Sequence, residues 1–246
     1  MRRVLVTGGG TGIGRAIAHA FVDQGDAVTI AGRRMAPLHE TAEGREITCR
    51  QADVTSEADI AALFDKPFDV VIANAGWGAS GKVSKLSLDD WNATLAVNLT
   101  GTFLTFREAL RTGPADARLI AIASTASLQG NASVPAYTAA KHGVLGLVRS
   151  IALDVAKTGG TCNAICPGFT DTDLAEGAIT GLMQRFDLDR EAATAKVAAG
   201  NPQGRLITPS ELPGTALFLA SPAASALNGH ALSLSGGEIC SPNNRT

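Results

Sequence analysis

Tyr137 and Lys141 stand four positions apart in the run Pro135-Ala136-Tyr137-Thr138-Ala139-Ala140-Lys141. On a helix that spacing puts both side chains on one face, a single turn apart. A free phenol titrates near 10 and is a poor proton relay at neutrality, whereas an adjacent ammonium stabilises the phenolate and is expected to bring it towards the working range. Such pairs are common on helix surfaces, where they are only solvated charge and ring. Two features single this one out. Tyr137 is the only tyrosine in the chain, and its helix begins after an apolar strand that ends in Ala123-Ser124-Thr125.

A second group capable of chemistry lies near the N-terminus. Thr7-Gly8-Gly9-Gly10-Thr11-Gly12-Ile13-Gly14 follows the strand-like Val4-Leu5-Val6 and opens a helical pattern. In that context glycines let backbone amides approach a pyrophosphate at a helix N-terminus. The spacing is GxxxGxG, and the more general GxGxxG pattern has no match in this turn. A bare glycine turn would serve equally as a tight structural loop. About twenty positions on, where an acid would accept from the adenosine ribose and repel a phosphate, the chain has Gly32 followed by Arg33 and Arg34. Guanidinium groups grip phosphate through charge-assisted hydrogen bonds, so these residues predict NADP(H) in preference to NAD(H), which remains possible. The competing reading is a solvated helix start.

These groups need elements to hold them. Apolar runs bounded by turn residues alternate with amphipathic segments throughout, which predicts repeated βαβ units around a parallel sheet covered on both faces. Strands are expected at about 3–7, 27–32, 46–52, 68–73, 117–124, 160–165 and 230–234, with helices at about 13–24, 57–64, 88–111, 136–157 and 210–220. The fold class is therefore α/β, a Rossmann-like doubly wound seven-stranded parallel sheet in one domain spanning 1–246. Residues 173–205 break the alternation and read as short helices. They would lie near the C-terminal ends of the strands, where open α/β sheets bind ligands, and are the candidate substrate lid.

Composition narrows the function classes. With 246 residues and 45% hydrophobic content the chain can bury a substantial core, and 21 basic against 23 acidic residues leave no positive field for nucleic acid. The N-terminal apolar stretch is too short for a signal peptide or a membrane span, so a soluble cytoplasmic protein is expected. Cys49, Cys162, Cys166 and Cys240 form no CxxC pair and the four histidines are separated, so no metal site is expected and the thiols read as packing. Cys162 and Cys166 should share one side of a strand.

Together these motifs resemble the short-chain dehydrogenase/reductase family over the whole chain. TGxxxGIG is that family's version of the fingerprint, with Gly8, Thr11, Gly12, Ile13 and Gly14 on the cofactor, and Thr11 stands where some NADP-preferring relatives carry a second basic residue. Ser124 precedes Tyr137 by thirteen residues, as in the family's Ser-Tyr-Lys constellation, and Asn98 in Val97-Asn98-Leu99-Thr100-Gly101 matches its helix asparagine. The resemblance implies that Tyr137 protonates a carbonyl oxygen, that Ser124 hydrogen-bonds the same oxygen, and that Lys141 holds the nicotinamide ribose and lowers the phenol pKa. Asn98 would hold a water linking Lys141 to solvent. Ser127 and Ser133 are rival serines in the same loop. Asp53 and Val54 would meet the adenine, although Asp53 could equally be a turn acid. Asn74-Ala75-Gly76 resembles the NNAG signature with Ala73 in its first place, and would lie against the cofactor. Pro167-Gly168-Phe169-Thr170-Asp171-Thr172 resembles the PG motif, with Pro167, Gly168 and Thr170 beside the cofactor and Thr172 on the carboxamide; an ordinary turn with a helix cap is the alternative. Leu232-Ser233-Leu234-Ser235-Gly236-Gly237 reads as the last strand and its closing turn. Relatives commonly form homotetramers through that end and through long helices.

For substrate, Asn163 to Phe169 and Gly204-Arg205 are similar to 3-oxoacyl-thioester reductases and polyketide ketoreductases. The implied substrate is a 3-oxoacyl or 3-hydroxyacyl thioester or a similar β-keto compound. Carrier-protein-using relatives have basic residues at the entrance, and this chain has Asp173-Leu174-Ala175-Glu176. Leu174, Ile179, Leu182, Met183 and Phe186 in the lid would line an acyl pocket or pack the lid onto the body. A small-alcohol, sugar or hydroxysteroid dehydrogenase would use the same catalytic residues. A non-catalytic nucleotide sensor would be expected to have lost the tyrosine or the lysine.

Overall fold

Side chains alternate faces along a strand, so a strand buried on both sides must be apolar throughout. All four residues of Val70–Ala73 and all seven of Thr161–Pro167 are buried. The computed structural model describes residues 1–240, and within them seven strands form one parallel sheet: β1 (Arg3–Thr7), β2 (Ala27–Gly32), β3 (Ile47–Gln51), β4 (Val70–Ala73), β5 (Arg118–Ile122), β6 (Thr161–Pro167) and β7 (Ala231–Leu234). Their spatial order is β3-β2-β1-β4-β5-β6-β7. After β3 the chain returns to the other side of β1, so the strand order reverses between β1 and β4. A crevice opens at the C-terminal ends of those two strands.

Two apolar layers sandwich the sheet. Val4, Val6, Val70, Ile72, Ile120, Ile122 and Ile165 face one of them, filled by Ile17 and Phe21 of α1 (Gly12–Asp23), Leu38 of α2 (Met35–Ala42) and Ala216 and Leu219 of α9 (Pro213–Leu219). Leu5, Val71, Leu119, Cys162, Ala164 and Cys166 face the other, filled by α3 (Glu57–Leu63), α5 (Gly101–Thr112) and α6 (Pro135–Val155). The buried positions of α1 (Gly14, Ile17, Ala18 and Phe21) follow the i, i+3, i+4, i+7 spacing of a helix stripe. Full burial of Phe21 alone stabilises the fold by about 2 kcal/mol.

Three local differences separate this architecture from the periodicity reading. The expected helix at 88–111 is α4 (Leu88–Leu95) and α5 joined by a π turn over Ala96–Thr100, which widens the helix around Asn98. Helix α2 begins directly after Arg34, in keeping with the competing reading of a helix start there; it is missing from the periodicity reading because Pro37 in its first turn and its small length mask the pattern. The expected helix at 210–220 starts as a 3-10 turn at Pro209–Glu211 before Pro213 opens α9. The stretch at 173–205 folds as α7 (Asp173–Phe186) and α8 (Arg190–Ala198), as short helices. A bridge between Thr170 and Ile207 pinches its base. No helix among the described residues is long and apolar enough to cross a membrane.

Candidate active site

The crevice between β1 and β4 leads into a cleft of about 860 Å³ that runs from the glycine turn to α7. Gly8 has φ +65°, and a Cβ there would fall 2.9 Å from Ala75 Cα; a Cβ on Gly14 would fall 2.2 Å from the Gly8 carbonyl oxygen. Side chains would fill the cradle in which a pyrophosphate fits, which is the steric reason for glycine at both places. The turn is braced from below. Asn74 Nδ2 donates to the Thr7 and Gly8 carbonyls at 3.0 Å each, and Thr7 Oγ1 accepts from the Asn74 and Ala75 amides at 3.1 and 3.3 Å. Asn74 therefore spends its side chain on the turn, and Ala75 and Gly76 present backbone to the cleft.

At the far end of the crevice, Arg33 and Arg34 are exposed, line the cleft, and have no carboxylate partner among the described residues. Two unneutralised guanidinium groups at the tip of β2 suit a phosphate. Asp53 and Val54 line the same end, and Asp53 Oδ1 accepts from the Thr55 amide and hydroxyl at 2.9 and 2.8 Å. One carboxylate oxygen of Asp53 is thus a turn cap, as the alternative reading expected. Thr11, Gly12 and Ile13 complete this wall, with Thr11 as the extended N-cap of α1.

Helix α6 supplies the central pair. Pro135 fits its first position, where a missing amide proton costs nothing, and the inner face descends through Ala136, Ala140, Val144 and Val148. Lys141 lies on that inner face, buried, with Nζ donating to the Ile122 carbonyl at 2.8 Å and standing 5.5 Å from the Tyr137 ring centre. Burial brings its ammonium down to about 8, with the Cys166 thiol opposing. Tyr137 is half-buried and lines the cleft. Burial pushes the phenol above its ordinary value, Ser124 pulls it down and Cys166 adds to the rise. The net shift of the phenol is upward, because desolvation outweighs the polar groups around it.

Ser124 stands two residues beyond β5 in the cleft with Tyr137, and its Oγ accepts from the Ala126 amide at 3.1 Å. Ser127 is buried outside the cleft and Ser133 is exposed outside it, so of the three serines only Ser124 faces the pair. Asn98, in the π turn, is fully buried; its Nδ2 donates to the Trp77 and Thr94 carbonyls, the latter at 2.8 Å. Its Oδ1 has no hydrogen-bond partner among the described residues. A Cβ on Gly76 would lie 3.0 Å from that oxygen and 3.7 Å from Lys141 Nζ, so both polar groups converge above one glycine.

Pro167 ends β6, and with Gly168, Thr170 and Thr172 after it lines the opposite wall. Thr172 Oγ1 donates to the Thr170 carbonyl at 3.1 Å, and its methyl stands 2.9 Å from where a Gly12 Cβ would be. Thr172 is the N-cap residue of α7 without a side-chain capping bond. Under this wall, Gln129 Nε2 donates to the buried Glu238 at 3.2 Å, tying the turn after β7 to the loop that carries Ser124.

The sequence profile of the family described as enoyl-(acyl carrier protein) reductase matches residues 8–238. The chain belongs to the short-chain dehydrogenase/reductase family. It is 34% identical to the 3-oxoacyl-[acyl-carrier-protein] reductase of Vibrio harveyi, over 95% of each chain. It is 36% identical to the 2-dehydro-3-deoxy-D-gluconate 5-dehydrogenase of Bacillus subtilis, over 96% of this chain and 94% of that one. The crystal structure of an actinorhodin polyketide ketoreductase with NADPH superposes with a TM-score of 0.90 at 32% identity, covering 97% of each chain.

As a short-chain oxidoreductase, the protein brings every residue expected at its site to one cleft or its immediate support. The lid hydrophobics divide. Leu174 lines the cleft, Ile179, Leu182 and Met183 form the lid's own small core, and Phe186 is exposed beneath Arg185. Three contributors were not foreseen. Thr7 braces the glycine turn through its hydroxyl, a role for which a threonine ending a strand gives no distinctive signal. Gly78 lets Tyr137 approach, since a Cβ there would meet the ring at 2.8 Å. Trp77 lines the cleft beside it, and a large aromatic directly after Asn74-Ala75-Gly76 was the available clue.

Proposed function

We propose that this protein is an NADP(H)-dependent oxidoreductase that interconverts a ketone and a secondary alcohol, with Tyr137 as proton donor and acceptor. The observation that carries the reading is the convergence of Tyr137, Lys141 and Ser124 on a cleft that begins at the glycine turn. The turn at Gly8, Thr11, Gly12, Ile13 and Gly14 holds the pyrophosphate, Arg33 and Arg34 hold the 2′-phosphate, and Asp53 and Val54 flank the adenine. Asn74, Ala75, Gly76, Pro167, Gly168, Thr170 and Thr172 bound the nicotinamide half, whose ribose Lys141 engages. NADP(H), when bound, supplies or accepts the hydride.

The chain's own residues manage charge and proton. Ser124 accepts from the Ala126 amide, which leaves its hydroxyl proton to donate to the substrate oxygen and steady its growing charge. A phenol kept protonated by burial is in the form that donates, and Tyr137 gives its proton to that oxygen as the alcohol forms. Lys141 stabilises the phenolate left behind. Asn98 Oδ1 and Lys141 Nζ converge above Gly76, which supports a shared water through which a proton returns.

The NADPH in the similar polyketide ketoreductase favours NADP(H), and NAD(H) is the weaker alternative. The leading substrate is a 3-oxoacyl or 3-hydroxyacyl thioester or a similar β-keto compound, in keeping with the relative named 3-oxoacyl-[acyl-carrier-protein] reductase. The reading extends to a cytoplasmic homotetramer, which sedimentation would test. The primary experiment follows NADPH and NADH absorbance while β-keto thioesters, diketones and simple ketones are offered. At least one is reduced with NADPH, and Tyr137→Phe lowers the rate at least a hundredfold; a variant keeping most of its turnover would remove Tyr137 from the chemistry.

A further inference from the structure

Beyond Tyr137 the cleft is built from two walls. One is made of the loops at 77–81 and 131–134, joined by the Gly81 amide donating to the Ser133 carbonyl at 2.7 Å. The other is Phe169 with the first turns of α7. Trp77, Phe169 and Leu174 all line this part of the cleft, and they are 44%, 48% and 51% exposed. Three large apolar side chains left open in one concave site mark a surface that expects an apolar ligand.

Trp77 is held firmly where it stands. Its carbonyl accepts from Asn98 Nδ2, and its neighbour Gly78 packs against the Tyr137 ring so closely that a Cβ would not fit. Trp77 thus lines the cleft from an anchored backbone, one residue before the glycine that meets the Tyr137 ring, and offers an aromatic face at small entropic cost. Charge is distributed the other way. Among the described residues lining the cleft, the cations are Arg33 and Arg34 at the adenine end and the buried Lys141, and the charged side chain on the lid wall is Asp173. A substrate carboxylate placed beyond Tyr137 would meet that acid and no cation, at a cost in desolvation without a compensating pair.

We propose that Trp77, with Phe169 and Leu174, selects ketones whose carbonyl is flanked by an uncharged apolar body, and that free keto acids and sugar acids are rejected. The inference rests on the ketone-reductase reading and narrows its substrate class. The test uses full-length enzyme and NADPH with matched pairs: ethyl 3-oxohexanoate against 3-oxohexanoate for charge, and ethyl benzoylacetate against ethyl acetoacetate for the apolar body. The ester should exceed its acid at least tenfold in kcat/KM. Trp77→Ala should lower kcat/KM for ethyl benzoylacetate at least tenfold more than for ethyl acetoacetate, and Trp77→Phe should recover most of that difference. In a Trp91→Phe background, Trp77 is the sole remaining tryptophan, and its emission should change on titration with ethyl benzoylacetate. Preference for the acid, equal losses for both esters, or an unresponsive emission would overturn the assignment. If wild-type enzyme reduced no ketone at all, the ketone-reductase reading would fall and take this one with it; turnover with flat selectivity overturns the Trp77 assignment alone.

Discussion

Replacing Lys141 with Met keeps an unbranched chain, one heavy atom shorter, and removes a charge from the inner face of α6. The ammonium is lowered from 10.5 to about 8 by burial, a difference worth roughly 3 kcal/mol at about 1.4 kcal/mol per pH unit. Between pH 8 and 10.5 the unfolded chain holds a proton that the folded chain has released, so wild-type stability rises with pH across that window. Below pH 8 the folded protein carries the whole penalty. The Met variant escapes it but strands the Ile122 carbonyl that Lys141 now satisfies, at about 1–2 kcal/mol. At pH 7 the variant should therefore be more stable by about 1–2 kcal/mol and catalytically dead. By pH 10.5 that advantage should vanish or reverse. Urea unfolding of both proteins at pH 7, 8.5, 9.5 and 10.5 measures the difference directly, and contributions from other titrating groups cancel. A difference that stayed constant over that range would refute the claim that Lys141 is held as a destabilised buried cation.

Further perturbations probe the rest of the site. The reduction rate should fall as pH rises above about 8, because deprotonation of Lys141 removes the cation that stabilises the Tyr137 phenolate, and a pH–rate profile flat to pH 10 would contradict this. Arg33→Ala should weaken NADPH roughly tenfold while sparing NADH, measured by fluorescence titration; equal weakening would remove the phosphate role. Gly14→Ala places a methyl 2.2 Å from the Gly8 carbonyl oxygen, so the turn must move and cofactor affinity should drop by more than about tenfold with a lower Tm. Thr7→Val removes the acceptor of the Asn74 and Ala75 amides and should cost about 1–3 kcal/mol in denaturant unfolding, with weaker cofactor binding.

Some of this site lay in the order of residues. The Tyr137 and Lys141 pair shares a helix face by spacing alone, the glycine turn is contiguous, and Arg33 and Arg34 follow β2 directly. Each is a local arrangement in which backbone periodicity converts separation along the chain into direction in space. The strands were legible for a related reason, since burial on both faces demands unbroken apolar runs such as Val70 to Ala73. Helix α2 was not, because a short helix carrying a proline has too few turns to show a period.

What remained for tertiary structure depends on which distant segments meet. Spacing ranks Ser124 first without excluding Ser127 and Ser133, and only the packing of the segment after β5 against α6 leaves Ser124 alone of the three in the cleft with Tyr137. Asn74 lines the cleft, and the fold also commits its Nδ2 to the Thr7 and Gly8 carbonyls, sixty-seven and sixty-six positions away. The direction of the Tyr137 pKa likewise came from the depth at which the folded chain places the phenol, not from the neighbouring amine. Periodicity acts over a few residues, whereas desolvation and contact are set by the whole sheet and its two helical layers.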